Sequence, residues 1–103
     1  MTKADLVEMV AERTGFTKTD VHVICDILLD IIKEVMSDGH NIEIRRFGTF
    51  KLKVRKPRMA RNPRTGEPVP IGKRVVPVFK PSNEFKEQIA VAPEELEKKT
   101  GVV

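Results

Sequence analysis

Two hydrophobic periods divide the chain. Val21, Ile24, Cys25, Leu28, Ile31, Ile32 and Val35 fall three or four positions apart, the spacing of one face of an α-helix. Val23, Ile27 and Leu29 widen that face. Thr17 precedes it as a cap with Asp20 three positions on, and Gly39 follows as a left-handed terminator. A shorter stripe of Leu6, Val7 and Val10 predicts a first helix from about Lys3 to Thr14, opened by Thr2 and Asp5 and stopped by Gly15. The period then drops to two. Ile42 and Ile44 alternate with polar neighbours, and Phe50, Leu52 and Val54 alternate with Lys51, Lys53 and Arg55. This predicts a hairpin with one apolar and one basic face. Val75, Val76, Val78 and Phe79 predict a third strand, which Pro77 confines to an edge or a kink.

Between Lys56 and Arg74 the apolar residues thin out and prolines accumulate. Nothing there can pack a core, so the segment reads as a two-stranded ribbon with its tip near Pro63 to Gly66. An isolated ribbon is marginal in water, so this arm is expected to be mobile until a partner orders it. Ser82 caps a short third helix, Asn83 to about Ala90. Residues 91–103 read as a tail. Pro93, Glu94 and Glu95 suit the start of a short helix there, and Lys98 and Lys99 before Gly101 suit its end.

The 103 residues make one domain. Its core is marginal for a lone chain, because the proline-rich stretch contributes little to it. The second helix is more apolar than the first can cover, and a dimer that joins two such faces is the natural remedy. The single cysteine, Cys25, excludes an intrachain disulfide and fits a reducing cytoplasm. Acids interrupt the opening Met-Thr-Lys-Ala-Asp-Leu-Val-Glu where a signal peptide needs an apolar run. No stretch reaches the roughly 18 apolar residues of a membrane span.

Charge adds the decisive asymmetry. Arg45, Arg46, Lys51, Lys53, Arg55, Lys56, Arg58, Arg61, Arg64, Lys73, Arg74 and Lys80 make twelve cations, against the single acid Glu67. The first 44 residues instead carry nine acids and four bases, so the formal net charge of +4 hides a polarised molecule. A surface that displaces counterions from a polyanion has this form. Lys51, Lys53 and Arg55 alternate onto one side of a strand, suited to tracking phosphates. Pro63 is a rigid apolar group at the ribbon tip, flanked by Arg61 and Arg64. The first turns of the first and third helices offer free N–H groups near Lys3 and near Ser82 and Lys86, a further phosphate clamp.

Phe47-Gly48-Thr49-Phe50, the arm sequence Arg61-Asn62-Pro63-Arg64-Thr65-Gly66, and Val78-Phe79-Lys80-Pro81 before a short helix together resemble the bacterial HU and integration host factor family, over about residues 1–90. The resemblance implies an α+β fold and an intertwined dimer, with a helical body and two extended β-ribbon arms, here about residues 55–75. It implies histone-like binding, bending and compaction of double-stranded DNA from the minor-groove side, in the cytoplasmic nucleoid. Pro63 would then be the wedge between base pairs; minor-groove wedges, those of this family among them, kink DNA by roughly 20–90°. Asn41-Ile-Glu-Ile-Arg45 and Val76-Pro-Val-Phe-Lys-Pro81 resemble the β-type subunit of integration host factor, in which the position of Arg45 reaches a minor groove. A sequence-preferring factor, paired with a related subunit and supporting recombination, replication or transcription, is therefore the alternative to a homodimeric general bender.

Three departures stand out. Arg46 occupies a position that is usually glycine in the family, Met59-Ala60 replaces a small pair ending in glycine, and the tail 91–103 exceeds the usual domain. Read as adjacent strand residues on opposite faces, Arg45 and Arg46 cannot both enter one groove. Arg46 is expected to block the approach that glycine permits, leaving little site preference; the alternative is that Arg45 keeps the minor-groove role and Arg46 acts mainly through phosphates.

The expected DNA-contacting set is thus the twelve cations with Lys3, Asn62, Pro63, Ser82 and Lys86. Phe47, Phe50 and Phe79, with Leu28 and Ile32, are expected in the core or dimer core and not as platforms for bases. Cys25 on the apolar stripe reads as an inert core thiol. His22 and His40 lack the spacing of a metal site. No nucleophile, base and orienting group come together, so neither a catalytic role, a cofactor nor a small-molecule substrate is expected. A basic ribbon alone does not choose DNA over RNA, and an RNA-binding protein is the rival outside the family.

Overall fold

The computed structural model describes residues 1–100. In chain order these form α1 (Lys3–Thr14), α2 (Lys18–Ser37), β1 (Ile42–Ile44), β2 (Gly48–Arg55), β3 (Arg58–Arg61), β4 (Pro68–Ile71), β5 (Arg74–Pro81), α3 (Asn83–Gln88) and α4 (Pro93–Thr100). The chain divides into two compact units at the His40–Asn41 boundary.

The first unit is a helical pair. Thr2 opens α1, and the Asp5 carboxylate accepts hydrogen bonds from the Thr2 backbone N–H at 2.8 Å and from its hydroxyl at 3.2 Å. The Thr17 hydroxyl caps α2 by accepting from the Asp20 N–H at 3.2 Å. Gly15 ends α1 with φ 77° and donates to Ala11 O. At the end of α2, Asp38 is the last half-helical residue and Gly39 follows at φ 94°. Gly39 N donates to Met36 O and His40 N to Val35 O, the paired bonds of a Schellman motif. Val7, Ala11 and Val21 form the buried cluster, and Cys25 packs against it. Lys18 bridges to Glu8 at 3.2 Å, and Lys3 pairs with Asp26.

This core is thin. Val7, Ala11, Val21 and Met36 are the buried apolar residues among those described, and none is wholly sealed. The α2 side chains Val23, Ile24, Ile27, Leu28 and Ile31 stay about half exposed, Leu28 at 56%. Ile32 is half-buried. The expected excess of apolar surface is therefore present, and one chain leaves it uncovered.

The second unit is built on an antiparallel sheet of order β1-β2-β5. Its register pairs Ile42 with Phe50, and pairs Phe50, Leu52, Val54 and Arg55 with Phe79, Pro77, Val75 and Arg74. Opposed residues share a face, so Ile42, Ile44, Phe50, Leu52, Val54, Val75, Pro77 and Phe79 make one apolar surface. Pro77 fits because β5 is an edge strand and because of the register. The Leu52 N–H points to the β1 side, where it donates to Asn41 Oδ1 at 3.0 Å. Leu52 and Pro77 therefore form a non-hydrogen-bonded pair, and the missing proline donor faces away from β2. Gly48 is required by crowding: a Cβ there would lie 2.5 Å from Lys80 O and 2.7 Å from the Phe79 ring.

Phe47, Phe50, Phe79 and Phe85 gather over the apolar face. Ring centroids lie 5.1 Å apart for Phe47 and Phe79, 5.0 Å for Phe50 and Phe79, and 5.3 Å for Phe47 and Phe85. The first three were expected to be buried, yet Phe47 remains 43% and Phe79 38% exposed in the single chain.

Two expectations need correction. Arg45 and Arg46 are not strand residues, because β1 ends at Ile44 and a turn closed by Phe47 N to Ile44 O, 3.0 Å, carries both. Arg46 has φ 68° and is the one described non-glycine residue with positive φ, the sign a type II turn demands at its third position. For an L-residue this conformation costs roughly 1–2 kcal/mol, which is the physical reason glycine suits the position. Also, α3 ends at Gln88 and not near Ala90, because Ile89 turns extended after its N–H closes on Lys86 O. A helix does form in the tail, at Pro93–Thr100; the expected terminator Gly101 lies outside the described residues.

Candidate nucleic-acid interface

The sheet face opposite the phenylalanines carries Thr49, Lys51, Lys53 and Arg55 from β2 and, opposed to them, Lys80, Val78, Val76 and Arg74 from β5. Five cations thus share one face, with Glu43 opposite Thr49 as its acid. Arg55 and Arg74 are directly opposed, an arrangement of like charges that is unfavourable until an anion lies between them. Arg74 is half-buried, and its Nη1 is sealed from solvent without a hydrogen-bond partner. Lys51, Lys53, Arg55 and Lys80 line a groove over Val78.

Beyond Arg55 the sheet gives way to the narrower β3–β4 ladder, with Arg58 opposite Ile71 and Arg61 opposite Pro68. Alternation puts Arg58 on one face with Ala60, Val69 and Ile71, and Arg61 on the other with Met59, Pro68 and Pro70. Lys56, Arg58, Arg61, Arg64 and Lys73 are exposed. Met59 is 66% exposed, so the ladder encloses no core.

The tip is held by its own hydrogen bonds. Asn62 N donates to Glu67 O at 2.9 Å and Gly66 N to Asn62 O at 2.7 Å, with Gly66 at φ 74°. The Asn62 side-chain oxygen accepts from Arg64 N at 2.9 Å, an Asx turn. Arg61 Nη1 donates to Gly66 O at 3.1 Å across the base of the loop. Pro63 is left exposed at the apex. Asn62 and Arg61 were expected as DNA contacts; the structure gives both a part in shaping the loop that presents Pro63.

At the other end of the sheet, Glu43, Arg45, Arg46, Lys51, Lys80, Ser82 and Asn83 line an open cleft of about 340 Å³. Ser82 N donates to Phe47 O at 2.9 Å and ties the β1–β2 turn to the β5–α3 junction. The Ser82 hydroxyl accepts from Phe85 N at 3.1 Å. Arg46 Nε lies 3.8 Å from Glu84 Oε2, and both side chains are largely exposed. Such a pair contributes less than about 1 kcal/mol. Lys86 is exposed on α3.

In the helical unit, Lys3 is the first residue of α1 and donates to Asp26, which also meets His22 Nε2 at 3.1 Å. The hydrogen bond from Lys3 holds the Asp26 carboxyl below its ordinary value of 3.8; desolvation opposes this, and the charge of His22 adds to it. Among the described residues no His, Cys, Asp and Glu side chains cluster into a metal site. No described helix is long and apolar enough to cross a membrane.

The sequence pattern assigns no such role to Asn41, Glu84 or Phe85. Phe85 had a signal, an aromatic three positions after the Ser82 cap. Asn41 and Glu84 act through register and a turn that local pattern does not reveal.

The family described as bacterial DNA-binding protein matches residues 1–90. The chain belongs to that family. It is 44% identical over 91 residues to the β subunit of integration host factor from Xanthomonas campestris pv. campestris (strain B100), covering 87% of this chain and 88% of that protein. It is 43% identical over 86 residues to the α subunit of integration host factor from Anaeromyxobacter sp. (strain Fw109-5), covering 84% and 87%. The fold matches HU from Anabaena in a cocrystal with DNA, with a TM-score of 0.79 and 36% identity, covering 87% of this chain and 98% of that one. The α+β architecture with a β-ribbon arm is that of this family.

Proposed function

We propose that two copies of this chain form an architectural DNA-bending protein of the bacterial nucleoid, which binds double-stranded DNA with its arms in the minor groove and wedges Pro63 into the base stack. The observation that carries this reading is the placement of Pro63. It is exposed at the apex of a core-less ladder whose base joins a five-cation sheet face. Proline has no N–H to leave unsatisfied inside a stack. Unstacking costs a few kcal/mol per step, and neutralisation of phosphates on the bent flanks by Lys51, Lys53, Arg55, Arg74 and Lys80 offsets it. The other expected contacts, Lys3, Lys56, Arg58, Arg64, Lys73 and Lys86, extend that neutralisation. Dimerisation is supported by the uncovered apolar surface of α2 and the half-open phenylalanine cluster. The mechanism makes and breaks no covalent bond, so the protein is not an enzyme.

The relatives named as subunits of integration host factor favour a second reading, a sequence-preferring factor paired with a different subunit. One experiment separates the readings. The purified chain is weighed with a random duplex pool, a nicked duplex and an RNA hairpin, and bound sequences are selected. The first reading expects a homodimer that bends DNA, favours the nicked duplex and enriches no motif. An enriched motif, or binding only after a second subunit is added, selects the alternative. Preference for the RNA hairpin would reject both.

A further inference from the structure

We propose that Arg46 and Glu84 form a positioning device for DNA binding: Arg46 is a body-borne cation for the phosphate backbone, and Glu84 holds it at its cleft until a phosphate displaces the carboxylate. This rests on the DNA-binding reading above and adds a residue pair to it.

The argument starts from the backbone. Arg46 is the one described non-glycine residue in the left-handed region, at φ 68°. The turn is fixed from both sides, by Phe47 N to Ile44 O and by Ser82 N to Phe47 O, so the strain cannot relax by sliding the strands. Glycine would fill the position without strain. The arginine side chain returns little to the fold: 73% of it is exposed, and its ion pair with Glu84 is 3.8 Å long with a partner that is itself 64% exposed. An unfavourable residue that packs against little points to a use outside the chain.

The surroundings say which use. Arg45, Lys51 and Lys80 line the same open cleft, so Arg46 is the fourth cation there. Four cations in an open cleft suit an extended polyanion. An exposed guanidinium on a turn acts on phosphate oxygens irrespective of base sequence. Glu84 has a defined part. It keeps the long Arg46 side chain near the cleft, and it competes with the incoming phosphate. Binding therefore exchanges a weak intramolecular pair for a charge-assisted hydrogen bond to phosphate.

The test uses the full chain and a random-sequence duplex, with melting and salt-dependent affinity measured on the same preparations. Arg46→Gly melts higher than wild type because the strain is gone. It nevertheless binds about five- to tenfold more weakly at low salt, and its log–log salt slope is flatter by about one unit for each phosphate it no longer neutralises. Arg46→Asn, which tolerates the left-handed region without a charge, shows the same drop in affinity and so assigns it to charge. Glu84→Gln binds about two- to fourfold more tightly, and this gain disappears in the Arg46→Gly background. Unchanged affinity and slope in Arg46→Gly would overturn the proposal. So would a lower melting temperature in that variant, which would show that the arginine serves the fold. An equal gain from Glu84→Gln in both backgrounds would reject the coupling. Wild-type chain that binds no duplex sinks the DNA reading itself, whereas wild-type binding with indifferent variants sinks only this inference.

Discussion

The helical pair and the sheet-and-arm unit are incomplete in opposite ways. Residues 1–40 carry twice as many acids as bases and leave α2 with half-exposed Ile24, Ile27, Leu28 and Ile31. Apolar surface of that extent is completed by protein. From Arg45 to Lys80 there are twelve cations and one acid. On that stretch Arg55 faces Arg74, and the Arg74 Nη1 is buried without a partner. Charge of that kind is completed by an anion. The contrast assigns two partners to one small chain: a second protein surface for the helices, and a polyanion for the basic face. The phenylalanine cluster belongs with the helices in this respect, since its rings are also half open.

The strongest way to break the comparison is to damage the apolar surfaces. Leu28→Asp places a charge on the face that needs a protein partner and is expected to abolish the dimer; sedimentation at rising concentration reads this directly. Phe79→Ala removes a ring that packs on Phe47 and Phe50 and is expected to cost about 3–5 kcal/mol once a partner covers the cluster, most of the stability of a small domain. Melting that rises with protein concentration in wild type and collapses in the variant supports the assignment. A stable Phe79→Ala dimer that had only lost DNA affinity would move these rings to the nucleic acid side.

Next in size is the arm. Pro63→Ala is expected to leave melting and dimerisation unchanged, because Pro63 is exposed and the tip is held by Asn62, Arg61 and Gly66. Bending, read by energy transfer between duplex ends, should fall substantially; an unchanged bend removes the wedge. The β3–β4 ladder should give fast backbone motion in the free chain and lose it on DNA, which amide relaxation measures. A free arm as rigid as the β1-β2-β5 sheet would contradict its lack of core.

Arg55→Ala has a smaller and sharper expected effect. The log–log dependence of affinity on salt has a slope of about −0.9 per phosphate neutralised, and the variant should flatten it by about one unit. Removing Arg55 also relieves its opposition to Arg74, so melting should hold or rise slightly. Lower melting would mean that Arg55 is a structural residue.

Most of the architecture was legible because it follows local rules. The α2 stripe, the period-two strands, the Thr17 and Ser82 caps and the glycine stops each state their structure within a few residues. Pro77 implies an edge or a kink from sequence alone; the strand order makes it an edge, and the register explains why Leu52 can face it. What stayed hidden depends on positions brought together by a turn. Arg45 and Arg46 sit next to a clear alternation and were read as its continuation; only the left-handed Arg46 shows that the strand has already ended. Glu84 is a first-turn acid of α3, and its place beside Arg46 comes from the Ser82 to Phe47 hydrogen bond that joins two segments far apart in sequence. Arg61 is expected as a DNA contact from its charge and Asn62 from the family-like arm sequence, whereas their bonds to the tip backbone follow from loop geometry that composition does not encode.

The smallest expected effect lies in the helical pair and tests whether its charges matter to the fold at all. Lys3 and His22 both reach Asp26, and the hydrogen bond from Lys3 lowers the Asp26 pKa below 3.8. A carboxylate with a depressed folded pKa contributes stability that is fully present above its unfolded value and is lost as pH falls through the folded value. Wild type and Asp26→Asn should therefore differ in melting near neutral pH and converge in acid, below the ordinary value of 3.8. The difference should be small, because the groups are solvent-screened. Salt should shrink it further. A gap that grows steadily as pH falls below 3.8 has the wrong sign and would show that Asp26 is held by something other than these two cations.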